Sequence, residues 1–316
     1  MRVLFAGTPA VAVPALEALL ASDHEVVGVL TRPPAPVGRK RVLTPSPVQQ
    51  RAEEAGLPVI TSNRPHQDQT MAELRELRFE VAAVVAYGAL LREPALSLPG
   101  RGWINLHFSL LPAWRGAAPV QHALMAGDQI TGASTFAIEA GLDTGPVLGT
   151  MTESIRPTDT AGTLLERLAS AAAPLLVGTI DAIADGSAQP RPQPSDGISL
   201  APQLVSADAE IDWTLPAHVV DRRIRGLTPA PGAWTTRAGI RFKIGPVTPT
   251  MLRIFIPPGT VRVDPSGVLV GTGSAPVRLG EIAPPGKPWM DAGAWARGAR
   301  PDPSWTFDTG QEATDA

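Results

Sequence analysis

Short apolar runs typical of buried strands alternate with helical stretches along the first 150 residues, and this alternation constrains the fold most strongly. Helix-start signals separate the early runs: Thr8 is a candidate N-cap, and Ser46 with Pro47 opens a helix through VQQRAEEA. A βαβα order predicts an α/β domain with an open, mostly parallel sheet and helices on both faces. The strand-like runs are RVLFAG (2–7), EVVGVLT (25–31), PVIT (58–61), VAAVVAY (81–87), WINLHF (103–108), ASTFAI (133–138) and PVLGTMT (146–152).

After about residue 160 the sequence pattern changes twice, from a helical stretch to a linker-like segment and then to short strands. One long helical stretch covers residues 160–186, in which Pro174 predicts a kink or a break. A segment rich in Pro, Ser and Gln follows and predicts a linker, after which short strands between Gly and Pro predict a smaller β-barrel, OB-like domain. The expected divisions are an α/β domain (1–187), a linker (188–206), a β-barrel domain (207–310) and a tail (311–316).

Composition narrows the class of protein. The chain has 316 residues, is 44% hydrophobic and carries a net charge of −3, which is typical of a soluble globular protein. It has no cysteine, so disulfides and thiolate chemistry are excluded. We expect no transmembrane helix, no signal peptide and no membrane partner, and therefore a cytoplasmic protein. No long apolar edge pattern demands a dimer, so a monomer is expected.

Several common catalytic motifs are missing. The first βα turn, AGTPAVA (6–12), lacks the glycine patterns of dinucleotide sites and P-loops, which disfavours a dehydrogenase or a P-loop kinase. The chain has no G-x-S-x-G nucleophile elbow. Its five histidines show no H-x-x-x-H or H-x-H spacing, so no metal site is expected.

Two polar residues, Asn105 and His107, lie two positions apart in the apolar run WINLHF. Because side chains at i and i+2 share a face of a strand, both point the same way. Ligands bind at the carboxyl ends of strands in open α/β sheets. There, an imidazole that moves protons beside an amide that stabilises an oxyanion suits acyl transfer. The pair is equally compatible with two satisfied polar residues at a strand end.

A third polar residue, Asp143, lies in the glycine-flanked loop EAGLDTGPV (139–147). A carboxylate brought near His107 would orient the imidazole and favour its protonated form. Aspartate is also common in ordinary turns, because it bonds its own backbone, so both interpretations stay open.

The segment PPAPVGRKRVLTPSPV (33–48) joins the second strand to the next helix and is long for such a connection. Its consecutive cations Arg39, Lys40 and Arg41 fit a solvated surface loop. They also fit an arm that docks on phosphates and orders upon binding.

Taken together, these motifs resemble the methionyl-tRNA formyltransferases, one family of enzymes that use 10-formyltetrahydrofolate. The resemblance spans nearly the whole chain, and Gln203 departs from it, at a position where lysine is common. The motifs that carry it, in the family's order and spacing, are FAGTP, GRKRVLTPSPV, VVAYG, NLHFSLLPAWRGAAPVQ, GLDTGPVL, IDW and PPGKPWMDAGAWARG.

The resemblance implies a Rossmann-like catalytic domain and formyl transfer from 10-formyltetrahydrofolate to the α-amino group of methionine on initiator Met-tRNA, without a metal. It implies that Asn105, His107 and Asp143 are catalytic. It further implies that the basic loop with Arg39, Lys40 and Arg41 enters the acceptor end of the tRNA, and that the C-terminal domain grips the rest. The implied folate contacts are Ser109, Leu110, Leu111, Pro112, Tyr87, Gly88 and Leu90, those of the stretch 84–91 largely through backbone groups.

Two alternatives stay open at this point. The Asn-x-His element with a distant Asp is shared by formyltransferases that act on sugar nucleotides or other small amines, and only the basic loop and second domain argue for tRNA. A non-catalytic RNA-binding module would not need this constellation. Between residues 207 and 300 the chain carries twelve Lys and Arg against seven Asp and Glu, which is compatible with a polyanionic partner.

Overall fold

Seven strands pair into one sheet in the computed structural model, which describes residues 1–38 and 40–309. The strands up to residue 154 are β1 (Arg2–Gly7), β2 (Glu25–Thr31), β3 (Ala35–Val37), β4 (Val42–Thr44), β5 (Val59–Thr61), β6 (Val81–Val85), β7 (Trp103–His107), β8 (Ile130–Ala137) and β9 (Val147–Ser154). The sheet order is β5-β2-β1-β6-β7-β8-β9, and β3 pairs only with β4 as a separate hairpin.

The first five strands of that order run parallel, β8 pairs antiparallel with β7, and β9 pairs antiparallel with β8. The central strands β1 and β6 are apolar and buried along nearly their whole length. Parallel strands covered on both faces have this composition. The predicted α/β domain with a mostly parallel sheet is therefore confirmed.

The helices up to residue 185 are α1 (Val13–Leu20), α2 (Pro47–Glu54), α3 (Asp68–Glu76), α4 (Pro119–Ala126) and α5 (Ala161–Asp185). Ser46 caps α2 as predicted, because its Oγ accepts a hydrogen bond from the backbone N–H of Gln49 at 3.0 Å. The predicted capping role of Thr8 is wrong. A short 3₁₀ turn separates Thr8 from α1, and its hydroxyl donates instead to the backbone carbonyl of Tyr87 at 2.7 Å.

Helix α5 runs unbroken through Pro174, so the break that the sequence offered there is wrong, while the alternative, a kink, stays a prediction. On both sides of the proline, residues at helical spacing are fully buried and fix the helix by packing: Leu168, Ala172, Leu176 and Ile180. Among the described helices, α5 alone is long and apolar enough to cross a membrane by length and composition. The core helix of a soluble protein meets the same criterion of length and composition, and α5 has a buried face of that kind.

The described part of the chain after residue 210 is built mainly from short antiparallel strands. Its elements are α6 (Ala217–Gly226), β10 (Trp234–Arg237), β11 (Ile240–Ile244), β12 (Val247–Pro249), β13 (Val261–Asp264), β14 (Gly267–Val270), β15 (Val277–Leu279), β16 (Glu281–Ala283), β17 (Met290–Asp291) and α7 (Ala292–Ala299). The strands pair in the orders β10-β11-β16-β17 and β12-β15-β14-β13. One apolar cluster, in which Trp213 stacks on Phe307, fills the interior. The predicted second, smaller β domain is confirmed.

Contacts divide the chain into two units that are not contiguous in sequence. The first comprises residues 1–119, 130–154 and 165–201, and the second comprises 120–129, 155–164 and the chain from Pro202 onward. The sequence-based boundaries at residues 187 and 206 stay predictions. The predicted tail (311–316), together with Gly310, lies outside the described residues.

Candidate active site

Strand β7 presents Asn105 and His107 on one face, as the alternation predicted. It pairs with β6 in parallel and with β8 antiparallel, so the pair lies where the sheet changes direction. Asn105 is half-buried and His107 is 6% exposed. The Asn105 side chain makes no hydrogen bond to any described residue, so its amide is available to a ligand.

His107 is hydrogen-bonded at one ring nitrogen and faces a carboxylate with the other. Its Nε2 lies 2.9 Å from the backbone carbonyl oxygen of Trp114, and its Nδ1 lies 3.8 Å from Oδ2 of Asp143. A carbonyl oxygen can only accept, so this bond assigns a proton to Nε2. In the neutral ring, the bare Nδ1 therefore faces the carboxylate.

Burial lowers the pKa of His107 below its ordinary value of 6.5. The charge of Asp143 and the hydrogen bond to Trp114 act in the opposite direction but do not offset the cost of burying the charged ring. We expected Asp143 to favour the protonated form. It does act in that direction, yet burial outweighs it, so the net effect favours the neutral ring.

Asp143 reaches His107 from the loop between β8 and β9. Its Oδ2 accepts a hydrogen bond from the backbone N–H of Gly116 at 2.8 Å, and its side chain is 17% exposed. Its φ of +50° is in the left-handed region. At Gly145, a Cβ would lie 1.8 Å from the backbone oxygen of Ala137, so the loop requires glycine there. The carboxylate thus accepts a hydrogen bond from Gly116 and faces His107, both outside its own loop. An ordinary turn aspartate would bond only its own backbone.

The turn after β7 is fixed by serine hydroxyls. Ser109 is fully buried, and its hydroxyl donates to the carbonyl of Ala113 at 2.6 Å. Ser134, opposite His107 on β8, donates to the carbonyl of Ser109 at 2.7 Å and accepts from the N–H of Leu111 at 3.1 Å. The Ser109 side chain is therefore committed to the turn, whereas three predicted folate contacts in it are half-buried: Leu110, Leu111 and Pro112.

The sequence did not indicate two of these contributors, Trp114 and Ser134. Trp114 acts through its backbone carbonyl, which no residue type reveals, and its φ of +60° is set by the folded turn. Ser134 could have been found from strand pairing, since the register of the predicted hairpin against β7 places it opposite His107.

The stretch 84–91, predicted to line the pterin pocket, divides into a buried and an exposed part. Tyr87 is 2% exposed, its hydroxyl donates to the carbonyl of Ser62 at 2.6 Å, and burial raises the pKa of its phenol. Its ring packs in the apolar core, so only its backbone remains for a ligand. Gly88 and Leu90 are exposed.

The basic segment forms the hairpin β3–β4 rather than an irregular loop. Lys40 and Arg41 are exposed at its turn, and their side chains form no hydrogen bond or ion pair with any described residue, including His107 and Asp143. Arg39, the third predicted tRNA contact, lies outside the described residues. The hairpin also exposes the apolar side chains of Val37, Val42 and Leu43.

Comparison with known proteins places this site in a family. A family model described as formyl transferase matches residues 1–180, and one described as formyl transferase, C-terminal domain, matches residues 203–300. The curated methionyl-tRNA formyltransferase of Thermobifida fusca is 59% identical over 300 residues, which cover 95% of this chain and 97% of the relative.

Solved structures share the fold. The methionyl-tRNA formyltransferase from Clostridium thermocellum matches with a TM-score of 0.57 at 13% identity, covering 88% of this chain and 98% of that one. HypX from Aquifex aeolicus, solved in complex with tetrahydrofolic acid, matches with a TM-score of 0.65 at 15% identity, covering 94% of this chain and 47% of that one. Both formyl transferase family models match the chain, and a methionyl-tRNA formyltransferase is 59% identical to it over nearly its full length. The chain therefore belongs to the methionyl-tRNA formyltransferase family.

Proposed function

We propose that this enzyme transfers a formyl group from 10-formyltetrahydrofolate to the α-amino group of methionine on initiator Met-tRNA. The observation that carries the proposal is the position of the buried His107, 3.8 Å from Asp143 and on the same strand face as Asn105, whose amide bonds no described residue. The acceptor, Met-tRNA, is inferred from the name of the curated relatives, and the formyl donor is inferred from the family's use of folate.

In the proposed reaction, the methionine nitrogen bonds to the formyl carbon while the carbonyl electron pair moves onto oxygen. The amine then loses one proton, N10 of the folate gains one, and the bond between N10 and carbon breaks. His107 suits the transfer of this proton, because its Nδ1 lone pair can accept it and Asp143 stabilises the resulting imidazolium. A neutral resting imidazole is required for this role, and burial provides it.

Asn105 is the proposed donor to the developing oxyanion. Its amide N–H groups are not engaged by any described residue, so they can turn to a ligand without breaking a bond inside the protein. The Nε2–H of His107 already donates a hydrogen bond to the backbone carbonyl of Trp114. The imidazolium formed during the reaction therefore supports the oxyanion mainly through its charge.

The folate is proposed to lie between the turn 109–112 and the stretch 84–91. Leu110, Leu111, Pro112 and Leu90 offer apolar surface, while Gly88 and the buried Tyr87 and Ser109 contribute backbone groups. This assignment follows from the resemblance together with the exposure of these residues.

The β3–β4 hairpin is the proposed tRNA arm, with the C-terminal domain as a second contact. Replacing Arg39, Lys40 and Arg41 together by Ala should flatten the dependence of log(kcat/KM) for Met-tRNA on log[salt] by about 0.7 for each phosphate that the variant no longer neutralises. The KM for 10-formyltetrahydrofolate should not change. Steady-state formylation at several salt concentrations measures both quantities.

The matched control removes two exposed cations at the end of α3, Arg75 and Arg78. Their replacement by Ala should leave the salt slope as in the wild type. Unchanged kinetics of the hairpin variant across the salt series would refute the assignment of the arm.

The direct test of the proposed function offers the enzyme three acceptors with 10-formyltetrahydrofolate: Met-charged initiator tRNA, glycinamide ribonucleotide and an amino-sugar nucleotide. We expect N-formylmethionine on the tRNA and no formylation of the small amines. Activity on a small amine with none on charged tRNA would overturn the proposal. Since the acceptor, charged initiator tRNA, belongs to translation, the proposed location is the cytoplasm, and the proposed state is a monomer.

A further inference from the structure

The segment 191–201, predicted to lie in a linker, is hydrogen-bonded to both loops of the candidate active site. At its start, Arg191 and Val147 exchange two backbone hydrogen bonds of 2.8 Å, just beyond the loop that carries Asp143. At its end, the N–H of Arg115 donates to Ser199 at 2.9 Å and its carbonyl accepts from Ala201 at 2.8 Å. We call residues 191–201 the strap.

Gln193 lies between the two ends of the strap and uses its whole amide on these loops. Its Nε2 donates to the backbone carbonyls of Asp143 and Gly145, both at 2.8 Å. Its Oε1 accepts from Nε of Arg115 at 3.1 Å and from Nη2 at 2.6 Å. The two arginine donors fix which end of the amide is oxygen, so the NH₂ group must point at the Asp143 loop.

The Asp143 loop depends on such external bonds. Asp143 has a φ of +50°, in the left-handed region that residues other than glycine adopt less readily. One of the two Gln193 bonds is to the carbonyl of Asp143 itself, and the other anchors Gly145 two residues later. Together they hold the backbone in the conformation that directs the carboxylate toward His107.

We propose that Gln193 is a positioning residue for Asp143, with Arg115 orienting its amide, so that the strap sets the His107–Asp143 geometry. The expected fall in kcat rests on the proposed function. The expected loosening of the Asp143 loop does not, and it can be measured without any assay of activity. Misplacement of a catalytic group by about 1 Å can cost on the order of 100-fold in rate, so a residue that never touches substrate can control kcat.

Two variants test the proposal. Gln193→Glu keeps an acceptor for Arg115 but replaces both N–H donors with an oxygen that faces two carbonyl oxygens. Gln193→Leu removes donors and acceptor at similar size. Asp196→Ala is the matched control, because Asp196 is exposed on the strap and its side chain forms no hydrogen bond or ion pair with any described residue.

We expect kcat for formyl transfer to fall at least tenfold in both Gln193 variants, with the KM for Met-tRNA changed less than threefold and Asp196→Ala unchanged. A general loss of structure would not give this split between kcat and KM. The loss should also overlap with that of Asp143→Asn, so that the double variant is little slower than Asp143→Asn alone. A loss of kcat below tenfold, or one that multiplies in full with that of Asp143→Asn, would overturn the proposal.

Hydrogen exchange of the peptide 139–147 in the full-length protein provides the readout that does not depend on activity. Faster exchange there in Gln193→Glu and Gln193→Leu, with wild-type exchange in β1, is the expected result. Unchanged exchange of the peptide would contradict positioning by Gln193. If the wild type fails to formylate Met-tRNA, the proposed function is wrong, while the exchange data still decide the role of Gln193.

Discussion

Replacing Asp143 by Asn is expected to lower kcat for formyl transfer by about 10³- to 10⁴-fold, the scale seen when the aspartate of a His–Asp pair is neutralised elsewhere. The amide cannot stabilise the imidazolium that forms when His107 takes the amine proton at Nδ1. Asn keeps an oxygen for the N–H of Gly116, so the loop can retain its conformation. Single-turnover formylation with saturating Met-tRNA measures the loss, and filter binding should show unchanged tRNA affinity.

A second His–Asp pair in the same unit serves as the matched control. Oδ1 of Asp181 lies 3.1 Å from Nε2 of His24, and neither residue contacts the Asp143 loop among the described contacts. Asp181→Asn should therefore leave kcat within about twofold of the wild type. Retention of more than a tenth of wild-type kcat by Asp143→Asn would contradict the assigned role of Asp143.

Replacing Asn105 by Ala is expected to lower kcat by about 10²- to 10³-fold, the usual cost of one missing oxyanion donor. Because the amide bonds no described residue, its removal leaves no broken hydrogen bond in the resting protein. The melting temperature should therefore stay close to that of the wild type.

Asn105→Asp tests whether Asn105 acts by donating N–H groups to the oxyanion or only by filling space. It is nearly isosteric, yet it offers oxygens where the oxyanion requires N–H donors, so it should be slower than Asn105→Ala. The same single-turnover assay applies to both variants. An Asn105→Asp enzyme as fast as the wild type would show that the residue fills space only.

Local sequence patterns predicted the framework of the site well. The polar pair on β7 could be placed because strand periodicity is two and Ile104 and Leu106 mark the opposite, buried face. The cap at Ser46 could be placed because the side-chain oxygen and the following proline both act locally. Asp143 beside His107 came from the family resemblance, since 36 residues separate them and no local rule joins them.

Other parts of the site depend on the folded backbone and could not be predicted from residue types. The partner of His107 Nε2 is a main-chain carbonyl, that of Trp114. Gln193 lies in a Pro- and Ser-rich stretch whose composition is typical of a linker, although its backbone pairs with Arg115 and Val147. The pKa of His107 depends on burial as well as on Asp143, and the sequence indicated only the second influence.

The state of His107 is the central claim, and nuclear magnetic resonance titration of ¹⁵N-histidine-labelled enzyme tests it most directly, with His107→Gln used to assign the signal. We predict a pKa below 6.5 and a neutral ring that carries its proton on Nε2. Since the charge of Asp143 raises this pKa, Asp143→Asn should lower it further. A pKa above 6.5, or a neutral ring protonated on Nδ1, would contradict the claim.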